Sequence, residues 1–124
     1  MRRGDVVSID SNVMTATAAS AANERWPAIV VSNDGANRTA RRLGHGAVTV
    51  VPITGASART YPFQVLLPAG SCGLPQASTA HAEQIQSVEI GRVGEVLGHV
   101  PDSVLEQVEE AIKVHLGLDS SVVS

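Results

Sequence analysis

The sequence has few aromatic residues and almost no cysteine. One Phe, one Tyr and one Trp occur in 124 residues, so Val, Ile, Leu and Ala must fill the interior. The single cysteine, Cys72, allows no disulfide within the chain and argues against a cysteine-based zinc site. This cysteine usage fits a reducing cytoplasm, where we expect the protein to stay.

Long hydrophobic runs and recognisable metal or phosphate motifs are also missing. No apolar run approaches the roughly 20 residues that cross a bilayer, and the basic N-terminus leads into a polar segment rather than a signal-peptide core. The four histidines are widely spaced and lack HExxH-type spacing, and no glycine-rich phosphate loop occurs. We therefore predict no membrane association, no metal and no cofactor. The histidines are His45, His81, His99 and His115.

Positive charge is concentrated in the first half of the chain. Residues 1–59 contain seven arginines and four acids, a net of +3, although the whole chain carries −3. Residues 60–124 contain Arg92 and Lys113 against eight acids, a net of −6. Guanidinium groups make planar, two-point contacts with phosphate. The arginines favour an anionic ligand if they share a face; a solubilising surface is the alternative reading.

The length suits one domain, which we place at residues 1–118, with 119–124 as a short C-terminal tail. A core of small side chains is modest, and this favours a homodimer that buries more surface. Residues 11–25 are a long polar loop and a candidate flap, and residues 36–43 suit one or two helical turns. Runs of β-branched residues predict strands at 3–10, 28–32, 47–53, 61–67, 79–88 and 92–100.

The C-terminal segment changes to helical periodicity. Val104, Val108 and Ile112 belong to one apolar stripe. Ser103 and Glu106 match a capping box, and Gly117 supplies the stop. Short strands with one amphipathic helix predict a mainly β fold with α, namely a small, partly open barrel or twisted sheet with the helix packed on it.

Six segments, taken in order, form a recognisable pattern. Arg3-Gly4-Asp5 opens the first strand, and residues 27–34, 48–54 and 82–87 follow it. These segments resemble the MazF/PemK family, and the segment Tyr-Pro-Phe-Gln-Val-Leu-Leu at 61–67 and the helix ending at residues 113–118 resemble its actinobacterial members. The resemblance spans nearly the whole chain and implies an SH3-like (CcdB/PemK-type) barrel that dimerises.

The resemblance also implies a function and partners. Such a protein is the toxin of a type II toxin–antitoxin system and cuts single-stranded RNA at short sequences without a metal. The ribose 2′-hydroxyl attacks the adjacent phosphate, leaving 2′,3′-cyclic phosphate and 5′-hydroxyl ends. The expected partners are single-stranded RNA and a MazE-like antitoxin whose tail lies across the RNA groove.

Two residues carry the chemistry in the family, and both have candidates here. Thr54 matches the threonine that follows the proline of the third strand. The family arginine directly before the proline of the second strand is replaced by Trp26, so Arg25, one residue earlier, is the candidate. As RNA contacts we predict Ser57, Arg59, Gln84 and Ser87, together with Trp26 as a base-stacking residue, although Trp26 could instead fill the aromatic-poor core.

Departures from the family pattern keep other functions open. Gly55 replaces a family serine, and Gln86 replaces a family arginine. With Trp26, each change removes a polar or cationic contact to RNA. The alternatives are a catalytically weakened MazF-like binding module that sequesters RNA or antitoxin, and a gyrase-directed toxin of the same fold.

Overall fold

A computed structural model of the chain describes residues 1–10, 25–56 and 61–118. Seven strands and two α-helices follow one another along these residues. The strands are β1 (Asp5–Asp10), β2 (Arg25–Val30), β3 (Ala47–Gly55), β4 (Gln64–Leu67), β5 (Ser78–His81), β6 (Gln86–Glu89) and β7 (Val93–His99). The helices are α1 (Asp34–Leu43), between β2 and β3, and α2 (Asp102–Leu116), after β7.

The strands form one antiparallel sheet in the order β4-β5-β3-β2-β1-β7, with β6 added beside β3. The first half of β3 pairs with β6, from Ala47 to Val50, and its last residues pair with β5, from Ile53 to Gly55. On its other edge β3 pairs with β2 through residues 50–52. Pro52 lies at this change of partner, where a residue without an N–H costs least. The mainly β fold with a C-terminal helix is confirmed.

Both faces of the sheet carry a hydrophobic cluster. On one face Val6, Ile29 and Val51 pack with α2 through Val108 and Ala111. On the other face the strands contribute Val7, Ile9, Val30, Val48 and Val50, and α1 contributes Ala40. Every one of these side chains is buried, so aliphatic packing on two faces replaces the missing aromatic core.

The helix α1 is longer than the sequence pattern predicted. The side chain of Asn33 accepts a hydrogen bond from the N–H of Ala36 at 2.8 Å and caps the helix before Asp34. Gly44, with φ of 73°, ends it. Buried Asn37 donates to the carbonyl of Ser32 at 2.9 Å and fastens the helix to the end of β2.

Three sequence predictions about α2 and the strands were wrong in detail. The N-cap of α2 is Pro101, which makes no side-chain capping bond, so Ser103 lies within the first turn and forms no capping box. The predicted strand 79–88 is broken by a one-turn 3-10 helix, Ala82–Gln84, because its two halves pair with different halves of β3. The predicted strand 61–67 begins only at Gln64, since a turn joins the N–H of Gln64 to the carbonyl of Tyr61.

No helix in the described ranges is long and apolar enough to span a membrane. The predicted flap at 11–25 lies outside the described residues except for Arg25, and so does the tail at 119–124.

The packing around β3 generates a stability prediction. Val50 is fully buried in the strand, whereas Val96 of β7 is 48% exposed. Val50→Ala should lower the free energy of unfolding by about 2 kcal/mol, because it deletes two buried methyl groups and leaves a cavity. Val96→Ala, the matched control, should cost less than about 1 kcal/mol. Urea denaturation at one fixed protein concentration measures both, and equal losses would contradict the packing described here.

Candidate active site

The side chain of Thr54, at the end of β3, contacts a histidine of the neighbouring strand. Its hydroxyl Oγ1 lies 2.6 Å from Nε2 of His81, the last residue of β5. The β3–β5 register pairs Thr54 with Thr79, so the imidazole reaches back from two residues further along β5. The change of strand partner at Pro52 therefore creates this contact.

His81 in turn belongs to a polar network on the other side of its ring. Its Nδ1 lies 3.3 Å from Oε2 of Glu83, in the 3-10 turn that follows β5. Gln64 of β4 donates from Nε2 to the same Glu83 oxygen at 3.0 Å. The side chains of His81 and Glu83 are only 15% and 24% exposed. The second Glu83 oxygen, Oε1, is buried and has no hydrogen-bond partner among the described residues.

Arg25 opens β2 and points away from Thr54, toward the opposite edge of the sheet. It pairs with Asp10 of β1, and its Nε donates to the hydroxyl of Ser8 at 3.2 Å. The guanidinium lies over Gly94 of β7, where a Cβ would clash with it. No hydrogen bond within the described ranges links Arg25 to Thr54. The structure brings these two predicted site residues to the same end of the sheet but not into contact.

Trp26 is the residue of β2 that lies beside Thr54. The β2–β3 register pairs Ala28 with Pro52, and its continuation by two residues places Trp26 opposite Thr54. Both residues line a groove of about 230 Å³. Trp26 is partly buried and packs against the cluster that contains Val7 and Ile9, so it is both a core residue and a groove residue. Its indole N–H is buried without a partner among the described residues.

The other predicted RNA contacts occupy different positions. Gln84 ends the turn that carries Glu83 and so lies close to the His81 network. Ser87 of β6 pairs with Thr49 of β3. Thr49 comes five residues before Thr54, so Ser87 lies up to about 17 Å from Thr54 along the strand direction. Gly55 is exposed at the end of β3. Ser57 and Arg59 lie outside the described residues.

Most of the N-terminal arginines cluster at the far end of β3 from Thr54. Arg38, Arg41 and Arg42 are exposed on α1, which packs beside Gly46 through Ala40. The N–H of Arg3 donates to Asp34 at 2.7 Å, and this bond, helped by Asn37 and Arg38, holds the pKa of the Asp34 carboxyl below its usual value. The arginines therefore form a basic patch that does not surround Thr54.

His81 is a candidate site residue that the sequence analysis missed. Its signal was a His-x-Glu pattern at the end of a strand, with the histidine two residues before the Glu-Gln-Ile segment of the resemblance. No group of three or more His, Cys, Asp or Glu side chains is arranged to hold a metal ion within residues 1–10, 25–56 and 61–118.

Known proteins with this sequence pattern and fold are toxins and ribonucleases. A family model described as PemK-like, MazF-like toxin of type II toxin–antitoxin system matches residues 2–116. Endoribonuclease MazF9 of Mycobacterium tuberculosis (strain ATCC 25618 / H37Rv) is 48% identical over 118 residues, which cover 95% of this chain and 98% of that protein.

Solved structures share the fold of this chain. An endoribonuclease in complex with its cognate antitoxin from a mycobacterial species superposes with a TM-score of 0.72 at 24% identity, covering 96% of this chain and 97% of that one. MazF from Deinococcus radiodurans gives a TM-score of 0.70 at 27% identity, with coverage of 94% and 96%.

The placement of Arg25 depends on Gly94, and this can be tested. Gly94→Ala should move the guanidinium off β7 and rotate the hydroxyl of Ser8, because the new methyl group would clash with both. Stability should change by less than about 1 kcal/mol, since the end of a flexible side chain gives way. A crystal structure and thermal denaturation of the variant measure both effects. Gly91→Ala, where a Cβ meets nothing within 4 Å, is the matched control; an unmoved Arg25 in Gly94→Ala would refute the described contact.

Proposed function

This chain belongs to the PemK-like, MazF-like toxins of type II toxin–antitoxin systems, and from this we propose its reaction and its partners. It is an endoribonuclease toxin, as its 48% identity to such an enzyme over 95% of its length indicates. In our proposal it cuts single-stranded RNA at short sequences without a metal. The products carry 2′,3′-cyclic phosphate and 5′-hydroxyl ends.

One observation supports this reaction more than any other. Thr54 ends a strand beside an open groove, and its hydroxyl has a titratable imidazole at 2.6 Å. Cleavage by the ribose 2′-hydroxyl needs groups that stabilise charge on phosphorus and move protons, and needs no covalent enzyme nucleophile. We assign Thr54 to a phosphate oxygen, where its O–H donates to the charge that develops.

Arg25 supplies positive charge at the same end of the sheet. Among the described residues its only hydrogen bond runs from Nε to Ser8, so the terminal nitrogens, which lie over Gly94, keep their donors for a phosphate. Trp26 follows Arg25 on β2, lies opposite Thr54 of β3 and offers its ring to an unpaired base. Gln84 is a further RNA contact in this proposal, and so are Ser87, Ser57 and Arg59.

The proposed partners are an antitoxin and a second copy of the chain. A mycobacterial protein of the same fold was solved with its cognate antitoxin, and an acidic or amphipathic tail that folds on binding would complement the arginines. Large apolar side chains, among them Leu66 and Leu116, are half exposed in the single chain. Their burial in a homodimer would add to the modest core.

A second candidate function follows from the residue at position 26. Trp26 occupies the place beside Thr54 where the family has its arginine, and Arg25 points toward β7. A binding module that holds RNA or antitoxin without turnover would fit this arrangement. Incubation of oligoribonucleotides in EDTA separates the candidates, because the enzyme leaves cyclic phosphate ends and the binding module leaves RNA intact.

Substitutions at Thr54 test its assignment. Thr54→Val should lower the single-turnover cleavage rate by about 10²-fold or more, because a donor to the developing charge is lost. Thr54→Ser should stay within about 10-fold, since it keeps the hydroxyl. Thr49→Val on the same strand is the control and should cut normally. A normal rate for Thr54→Val would remove Thr54 from the reaction.

Arg25 has its own test, which separates charge from position. Arg25→Ala should lower cleavage by about 10²-fold, the scale of one lost charge-stabilising contact. Gly94→Ala, which keeps the guanidinium but displaces it, should give an intermediate rate. Arg92→Ala, which removes another arginine from this end of the sheet, serves as the control in the same assay. Wild-type cleavage by Arg25→Ala would show that the guanidinium takes no part.

A further inference from the structure

We propose that His81 is the general base of the cleavage, taking the proton of the ribose 2′-hydroxyl at Nε2, with Glu83 and Gln64 as positioning residues. This inference rests on the proposed function. His81 is neither the arginine nor the threonine that carries the chemistry in the family. The inference comes from the contacts of His81 in this chain.

The reaction needs a base that Thr54 and Arg25 do not supply. Arginine stays protonated near neutral pH, and a threonine hydroxyl is a far weaker base than imidazole. Within the described part of the chain, the imidazole in contact with Thr54 belongs to His81. A base must lie within hydrogen-bond reach of the proton that it removes, and a 2′-hydroxyl whose phosphate binds Thr54 would lie beside this ring.

The surrounding network favours the tautomer of His81 in which Nε2 is free to accept a proton. The N–H of Tyr61 donates to Oε1 of Gln64 at 3.2 Å, so the amide nitrogen of Gln64 faces Glu83 and donates to its Oε2 at 3.0 Å. Nδ1 of His81 lies 3.3 Å from both this amide nitrogen and Oε2 of Glu83. Because Gln64 already donates to Glu83 at the shorter distance and a carboxylate only accepts, we assign the hydrogen to Nδ1, which leaves Nε2 to accept from Thr54.

Substrate binding exchanges the partner of Nε2. In this tautomer the hydroxyl of Thr54 donates to Nε2 of the free protein at 2.6 Å, a shorter contact than the 3.4 Å to the carbonyl of Gly55. When a phosphate oxygen takes that donor, the lone pair of Nε2 becomes available to the 2′-hydroxyl. Thr54 thus couples phosphate binding to release of the base.

The proton and bond changes then balance. The 2′-oxygen gives its proton to Nε2 and forms the bond to phosphorus, while the bond from phosphorus to the 5′-oxygen breaks. The 5′-oxygen takes a proton from water, and the hydroxide that results takes the proton from the imidazolium. Glu83, hydrogen-bonded to Nδ1–H, stabilises the imidazolium while it exists.

The test measures the pH dependence of single-turnover cleavage with saturating protein. The wild-type rate should fall as the pH is lowered and the imidazole is protonated. His81→Gln should be slower by about 10²-fold to 10⁴-fold and should lack this fall. Its affinity for an uncleavable 2′-O-methyl oligonucleotide should stay within about 3-fold of wild type. His81→Ala should regain activity when free imidazole is added, which a purely structural role would not produce.

Other titratable groups near the ring serve as controls. Glu83 contacts it directly, and Tyr61 is linked to it through Gln64, whose Oε1 accepts from the N–H of Tyr61 at 3.2 Å. The ring of Phe63 stacks on Tyr61 at 5.4 Å and meets His115 at 6.4 Å. Glu83→Gln should change the pH at which the cleavage rate falls, but the fall itself should remain. His115→Gln and Tyr61→Phe should leave it in place.

The outcomes separate this inference from the proposed function. His81→Gln with a wild-type pH profile, or His81→Ala without rescue by imidazole, would overturn the role of His81 while cleavage itself stood. Wild-type protein that cuts no RNA would overturn the proposed function and the inference together. Far-UV circular dichroism of each variant confirms that it folds.

Discussion

The arrangement of the whole site depends on strand β3 having three partners. Its first half pairs with β6, its middle with β2 and its end with β5. A strand that kept one partner along this edge would leave Thr54 facing β6 or solvent. Because the partner changes at Pro52, the end of β3 meets β5, and the side chain of His81 comes within 2.6 Å of Thr54. The contact between Thr54 and His81 is therefore a consequence of strand pairing more than of any local motif.

The Arg3-Gly4-Asp5 motif, which carried part of the family resemblance, has a structural role. Arg3 donates from Nε to the carbonyl of Val31 at 3.0 Å and forms an ion pair with Glu109 of α2. Gly4 adopts a φ of 93°, which glycine tolerates best, and its carbonyl accepts from the N–H of Val100. Asp5 is buried and lies 2.7 Å from His99. The motif joins the start of β1 to β2, β7 and α2, at the opposite end of β1 from Arg25.

The elements that the sequence predicted well are those governed by local pattern. The helical stripe around Val108 buries one face of α2, and the continuous β-branched run before Thr54 buries both faces of β3, as these two patterns indicate. His81 was not predicted because it contacts Thr54, 27 positions away, and Gln64, 17 positions away, through two strand pairings. The direction of the Arg25 side chain was not predicted for the same reason, since the β1–β2 register and the absence of a side chain at Gly94 determine it.

The positive and negative charges of the candidate site lie on opposite sides of β2, and this separation matters for the proposed reaction. The Thr54, His81 and Glu83 cluster carries one negative charge while the imidazole is neutral, which by itself would repel a phosphodiester. The positive charge of Arg25, which lies against β1 on the other side of Trp26, offsets this repulsion. When His81 takes a proton, the His81–Glu83 pair becomes neutral as the phosphorus centre gains negative charge. The repulsion felt by the substrate therefore weakens along the reaction, so this cluster favours the transition state over the bound RNA.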